Sequence, residues 1–275
     1  MLEQLKYKNH LNEVFEFGKD GIFVDMNDLH DYEWTVTKKG NRIAALDRSI
    51  SKRKLPVIII CDTEEKGILA RNKLLEVAEK DVLAMQHGKI IIGDYYFRCF
   101  VTKSQKKNYL TSKRLMEVTL TLTTDFPYWV KDETFVFAKA GKGRNISVGL
   151  DGSYDYPFDY TSDTVVKEVN NTGFVASEFR MNIHGACINP AITINGHKYQ
   201  VNCEVADGEY LTIDSATKKI YITANDGTTT NVFNLRNRNS YVFEKIAAGK
   251  SPVSWSGDFS FDIVLLEERS EPKWI

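Results

Sequence analysis

No apolar run in this chain of 275 residues is long enough to cross a membrane. The longest, Val57-Ile58-Ile59-Ile60-Cys61, falls far below the roughly 20 residues that a helical span requires. A secretory leader is missing as well: Met1 to His10 mixes Lys, Glu and Gln instead of setting a basic start before an apolar stretch. A soluble protein made and kept in a cytoplasm is the expectation. There is no excess charge of either sign, with 36 Lys+Arg against 37 Asp+Glu. That balance argues against a dedicated nucleic-acid binder, whose domains are usually strongly basic. Cysteine is scarce. Cys61, Cys99, Cys187 and Cys203 form no C-x-x-C pair and fall inside apolar, strand-like patterns. A chain this long buries enough core without disulfides, so four reduced thiols are expected.

Motifs of catalysis are missing too. The chain has 5 histidines, no G-x-S-x-G elbow and no phosphate loop, since Gly141-Lys142-Gly143 lacks the required spacing. His184, Cys187, His197 and Cys203 are good zinc ligands by type, but their spacing fits no compact knuckle. Asp155 and Asp159 could serve as paired carboxylates of a glycosidase. They stand among Tyr154, Tyr156, Phe158 and Tyr160, rings that would also suit a glycan or an interdomain contact, and packing is the favoured reading because buried aromatic area is a large term. The chain is therefore read as a non-enzyme that calls for no cofactor and no metal.

Strand-forming residues dominate what is present. Phe numbers 15 and Tyr 13, and aromatic and β-branched side chains suit a pleated surface. Leu55 to Cys61 reads as a strand buried on both faces, Lys89 to Ile92 and Tyr95 to Val101 as a hairpin turning at Gly93-Asp94, and Leu115 to Leu122 as an alternating strand. Between them, Asp62 to Val82 reads as the one long helix, with Asp62 as cap, Glu65 at the capping-box position, and Ile68, Leu75, Ala78 and Val82 as its apolar stripe. Asp125-Phe126-Pro127-Tyr128-Trp129 closes this first, α+β half. The second half has short strands at regular spacing. One hairpin turns at Asn195-Gly196, others at Asp214 to Thr217 and Asp226-Gly227, and alternation returns at Phe259, Phe261, Ile263 and Leu265. This is the pattern of a sandwich or jelly roll. The fold class is mainly β with one long helix, divided into domains 1–135 and 136–275.

Two basic runs remain. Lys103, Lys106, Lys107, Lys113 and Arg114 have no acid among them. Lys38, Lys39, Arg42, Arg48, Lys52, Arg53 and Lys54 are opposed only by Asp47. Such runs usually make solvated loops. The group from Lys38 to Lys54 is the longer, with a little apolar content, and a long ordered loop usually has a role; subunit contact is the expectation, with nucleic-acid contact behind it.

Several phrases in order resemble the distal tail (Dit) protein family of long-tailed, non-contractile bacteriophages. They are the stretch Tyr154 to Tyr160, Gly185-Ala186-Cys187-Ile188-Asn189-Pro190-Ala191-Ile192, Gly208-Glu209-Tyr210-Leu211-Thr212-Ile213-Asp214, Arg236-Asn237, Phe243-Glu244-Lys245-Ile246 and the closing Glu268-Arg269-Ser270-Glu271-Pro272-Lys273-Trp274. The resemblance implies an N-terminal domain like tail-tube proteins that forms a hexameric ring, and a galectin-like β-sandwich outside it. It also implies a place at the distal tail tip of a virion. The partners would be further copies of the chain, the tail-tube protein, a tail-associated fibre or lysin protein and, in many members, receptor-binding proteins; no membrane is involved, and DNA would only pass through the channel. A lectin-like role in host-surface recognition is the alternative.

Overall fold

Antiparallel pairing accounts for every strand, and alternation of buried and open side chains decides which face of each strand meets a core. The computed structural model describes residues 4–110, 112–139 and 168–274. The chain divides into two compact units, Met1–Lys131 with Glu268–Ile275, and Asp132–Glu267.

In the first unit the elements are β1 (Leu5–Lys8), β2 (Val14–Glu16), β3 (Ile22–Val24), β4 (Thr35–Lys39), β5 (Arg42–Asp47), β6 (Ser51–Ile60), α1 (Glu64–Ala84), β7 (Gly88–Ile92), β8 (Tyr95–Lys107) and β9 (Leu115–Thr124). The strands pair in the order β2-β1-β7-β8-β9-β6-β3, and β4 and β5 pair only with each other. The basic run from Lys103 to Arg114 is not a loop throughout: Lys103, Lys106 and Lys107 lie in the outer half of β8, paired with β9. Nor is β6 buried on both faces. Leu55, Val57 and Ile59 enter the core while Ile60 is 54% exposed, because one side of this sheet faces water.

Helix α1 is capped by Thr63, not Asp62; the Thr63 hydroxyl accepts from the Lys66 amide at 3.3 Å. Its inward face also differs from the expected stripe. Gly67, Ala70, Leu74, Val77, Ala78 and Asp81 are buried, whereas Ile68 is 41% and Leu75 is 48% exposed. Two contacts set this rotation. A Cβ on Gly67 would lie 2.2 Å from the Lys113 carbonyl oxygen, so glycine lets the first turn approach the chain there. At the other end, Asp81 is drawn inward by polar partners on β1 and the turn after it. The Tyr7 hydroxyl donates to its Oδ2 at 2.6 Å, and the His10 amide donates to its Oδ1 at 2.8 Å. His10 Nδ1 lies 2.6 Å from that same Oδ1. Burial, reinforced by Cys99 and Asp81, keeps the Tyr7 hydroxyl protonated far above its ordinary range.

β10 (Trp129–Phe137) carries the chain out of the first unit, giving Trp129 to the first core and Phe137 to the second. The division expected after residue 135 therefore falls after Lys131. The closing segment Glu268–Ile275, expected in the second domain, groups with the first unit, where Trp274 stacks on His30 at 4.0 Å.

The second unit contains β11 (Glu168–Asn171), β12 (Glu178–His184), β13 (Cys187–Ile188), β14 (Ala191–Ile194), β15 (His197–Gln200), β16 (Glu204–Val205), β17 (Tyr210–Asp214), β18 (Lys219–Thr223), β19 (Thr229–Asn231), β20 (Gly249–Trp255) and β21 (Phe261–Arg269), whose last two residues group with the first unit. One sheet runs β19-β18-β17-β12-β21 and the other β11-β20-β14-β15, with β13–β16 a short ribbon. Inward residues of both sheets, among them Met181, Ile213 and Ile263 with Ile192, Ile194 and Val253, share one core. This is a β-sandwich. Asn195 and Gly196 make the expected tight turn, both at positive φ (49° and 79°). The fold class is the expected one, mainly β with one long helix among the described residues.

The Asp81 cluster can be tested directly. Asp81→Ala leaves the Tyr7 hydroxyl buried without an acceptor, and should cost about 3 kcal/mol. Urea unfolding followed by tryptophan fluorescence measures it; a change below about 1 kcal/mol would show that the cluster does not hold α1 to β1.

Candidate functional site

Catalytic groupings are the first candidates to weigh. Among the described residues no three of His, Cys, Asp and Glu come together to hold a metal. His184, Cys187, His197 and Cys203 are accordingly not brought together in threes. All four cysteines are free thiols; Cys61, Cys99 and Cys203 are buried. Burial pushes Cys99 up to about 12 and Cys203 up to about 11, which keeps both unreactive. The Ser240 hydroxyl lies 3.3 Å from His197 Nε2. That nitrogen is also 2.9 Å from the Tyr241 carbonyl oxygen, so it carries the proton and cannot take one from the serine. Beside this pair the second unit has an open groove of about 470 Å³ lined by Lys218, Arg236 and Tyr241 among others, with no carboxylate, cysteine or histidine in its lining. The aromatic stretch Tyr154, Asp155, Tyr156, Phe158, Asp159 and Tyr160 lies outside the described residues.

The basic segment of the first unit is the more informative feature. It is not a loop. Alternating Thr, Val and Ile with Gly40-Asn41 between them form the β4–β5 hairpin, and Gly40 takes the positive φ of 61° at the first turn position. The register pairs Val36 with Leu46 and, past an irregularity at Thr37/Lys38, Lys38 with Ile43. Val36 and Lys38 are two apart on one strand, so these four side chains share a face. That face is open: Leu46 is 52% and Ile43 is 63% exposed. Lys38, Lys39 and Arg42 are exposed as well, and among the described residues none of the three side chains has an ion pair or hydrogen bond. The hairpin thus presents apolar and cationic groups to solvent and pairs with no other described strand.

Its base is built differently. Arg48 does not face outward. Its guanidinium lies 4.4 Å from the Trp34 ring, 4.7 Å from Tyr128 and 5.4 Å from Tyr32. It donates to the Pro127 carbonyl at 2.6 Å and to the Ser270 hydroxyl. Burial pushes its pKa down while the tyrosines push it up. Arg53 is only 3% exposed; it covers the Phe97 ring at 4.3 Å and donates to the Leu29 carbonyl. Burial and the nearby Arg48 bring its pKa down to about 10, which still leaves it charged at neutral pH. Lys52 and Lys54 alternate with Arg53 on β6 and point to solvent. Of the seven cations expected at a subunit contact, five are therefore open and two are turned inward. Alternation along β6 could have separated Arg53 from its neighbours; nothing local marks Arg48, whose partners lie up to 222 residues away.

No family model and no curated relative matches the sequence. Solved structures match over nearly its whole length. A chain of the phage P2 baseplate in its activated conformation with Ca aligns at a TM-score of 0.66 and 11% identity, covering 99% of this chain and 100% of that one. The corresponding structure with Sr gives 0.65 at 11% identity, with 99% and 100% covered. The SPP1 Dit protein, described as a paradigm of hub adsorption apparatus in Gram-positive infecting phages, gives 0.60 at 10% identity, covering 98% and 100%. The fold is thus the one these phage baseplate and hub proteins have. It agrees with the family resemblance carried by the ordered phrases of the sequence.

The two kinds of arginine and lysine should separate on substitution. Arg48→Ala removes contact with three rings and two hydrogen bonds and should lower stability by about 2–3 kcal/mol. Lys38→Ala and Lys39→Ala should each stay within about 0.5 kcal/mol. Equilibrium denaturation of the three variants decides; equal effects would mean that Arg48 is not an anchor.

Proposed function

We propose that this chain is a structural protein of a phage virion. Six copies close into a ring at the distal end of a long, non-contractile tail, joining the tail tube to the tail-tip apparatus. Its partners are other copies of itself, the tail-tube protein, a fibre or lysin protein of the tail tip and, on the outer sandwich, a receptor-binding protein. DNA meets the ring only in transit.

The observation that carries this reading is the β4–β5 hairpin. An isolated two-stranded ribbon is marginal in water. This one has an open apolar face and three unpaired cations, held on a base as well fastened as the Arg48 cluster. Such an arm is suited to a neighbouring subunit. A head-to-tail contact that closes on itself gives a cyclic oligomer. Full-length likeness of fold to baseplate and hub proteins supports the same reading. Each exposed charge pair at such a contact would contribute only about 0–1 kcal/mol, so assembly should weaken with salt without being controlled by it.

The test shortens the hairpin alone. Residues 36–46 are replaced by a short Gly-Ser linker, which spares Arg48 and β6. Each subunit should fold as before, and light scattering after size exclusion, with the tail-tube protein present, should show loss of assemblies of about six chains. Rings of unchanged stability would make the hairpin a solvated appendage.

A further inference from the structure

We infer that the hairpin of one copy docks on the outer face of helix α1 of the next copy. This rests on the ring reading and names the surface that receives the arm.

The helix offers what the hairpin lacks. Helical periodicity sets Glu65, Ile68, Leu69, Leu75, Glu76 and Glu79 on the side opposite Ala70, Leu74 and Asp81. All six are exposed, so the stripe mixes three apolar side chains with three carboxylates. The cations that share the helix are engaged elsewhere: Lys66 pairs with Asp62, Lys73 with Asp20 and Lys80 with Glu13. Arg71 donates to the Ser112 and Leu115 carbonyls. Among the described residues, the carboxylates of Glu65, Glu76 and Glu79 make no side-chain hydrogen bond or ion pair. Three uncompensated carboxylates beside Ile68, Leu69 and Leu75 thus stand on one element. Three uncompensated cations beside Val36, Ile43 and Leu46 stand on another.

The two surfaces match in kind and in number, and they are different patches of one chain. A contact between different patches is heterologous, which is the type that propagates around a ring instead of stopping at a dimer. The match also accounts for the unusual outward placement of Ile68 and Leu75. A helix meant only to cover a core would carry polar groups there. Water exclusion by the apolar groups gives the contact its strength, and the charges set its direction and exclude the wrong pairing.

Charge reversal tests the pairing. Glu65→Lys, Glu76→Lys and Glu79→Lys are combined in one variant, and Lys38→Glu, Lys39→Glu and Arg42→Glu in another. All six positions are exposed, and unchanged unfolding midpoints establish that both variants fold. Each alone should raise the protein concentration needed for assembly by about tenfold or more. A chain carrying both sets should recover assembly, because opposite charges face each other again. As a second measurement, Ile43→Cys with Leu69→Cys should give a disulfide between copies under oxidation. If the helix variant assembles like the wild type, or the combined variant is no better than either parent and no cross-link forms, the α1 face is not the receptor. Loss of rings on hairpin shortening with no effect of helix reversal would sink this pairing and leave the ring. A wild-type chain that forms no ring even with the tail-tube protein would sink both.

Discussion

One guanidinium fixes the point from which the arm of this molecule projects. Arg48 gathers Trp34, Tyr32 and Tyr128 around its planar face and bonds to the Pro127 carbonyl and the Ser270 hydroxyl. It thereby joins the segment before β4, the connection after β9 and the returning C-terminal segment. Arginine suits this place because its flat, delocalised charge can stack on rings and still donate in plane; lysine could do only part of it. The β4–β5 hairpin pairs with no other strand among the described residues, so its base is where its direction is set. A firm base under an arm with an open apolar face is the physical core of the assembly reading.

The first unit distributes its polar groups unevenly, and the pattern is informative. Asp81, Tyr7, Arg53 and Arg48 are drawn inward, each hydrogen-bonded to at least one group of its own unit. The side chains of Lys38, Lys39, Arg42, Glu65, Glu76 and Glu79 are turned out and have no polar partner among the described residues. Buried polar groups demand partners because an unpaired one costs about 1–3 kcal/mol. Exposed ones carry no such demand, so opposite charges placed beside apolar groups on two separate elements are better explained by a contact than by folding.

Much of the fold could be read locally. The hairpins at Gly93-Asp94 and Asn195-Gly196, the alternation of β9 and the single helix all follow from period and turn chemistry. What escaped was set at a distance. The rotation of α1 depends on Asp81 meeting Tyr7 across 74 residues and on Gly67 meeting Lys113. The apolar residues Ile68 and Leu75 pull a sequence reading toward the wrong face, since local hydrophobicity does not say whether the chain itself or a second copy will cover them. The Lys and Arg of the basic run mask the strand pattern of Thr35 to Asp47, so that its sequence resembles a loop. Its cations divided by partner: β6 alternation turned Arg53 inward, and the remote Pro127 and Ser270 did the same for Arg48.

A hairpin covered by another copy is ordered only in the assembly. Hydrogen exchange of the β4–β5 amides, measured on the dispersed chain and on the assembled form, addresses this most directly. An isolated ribbon opens readily in water, so amides that pair across Val36–Leu46 and Lys38–Ile43 should exchange rapidly in the dispersed chain. In the assembly they should become protected by about tenfold or more, together with reduced access along α1. Equal exchange of the hairpin in both forms would contradict the account.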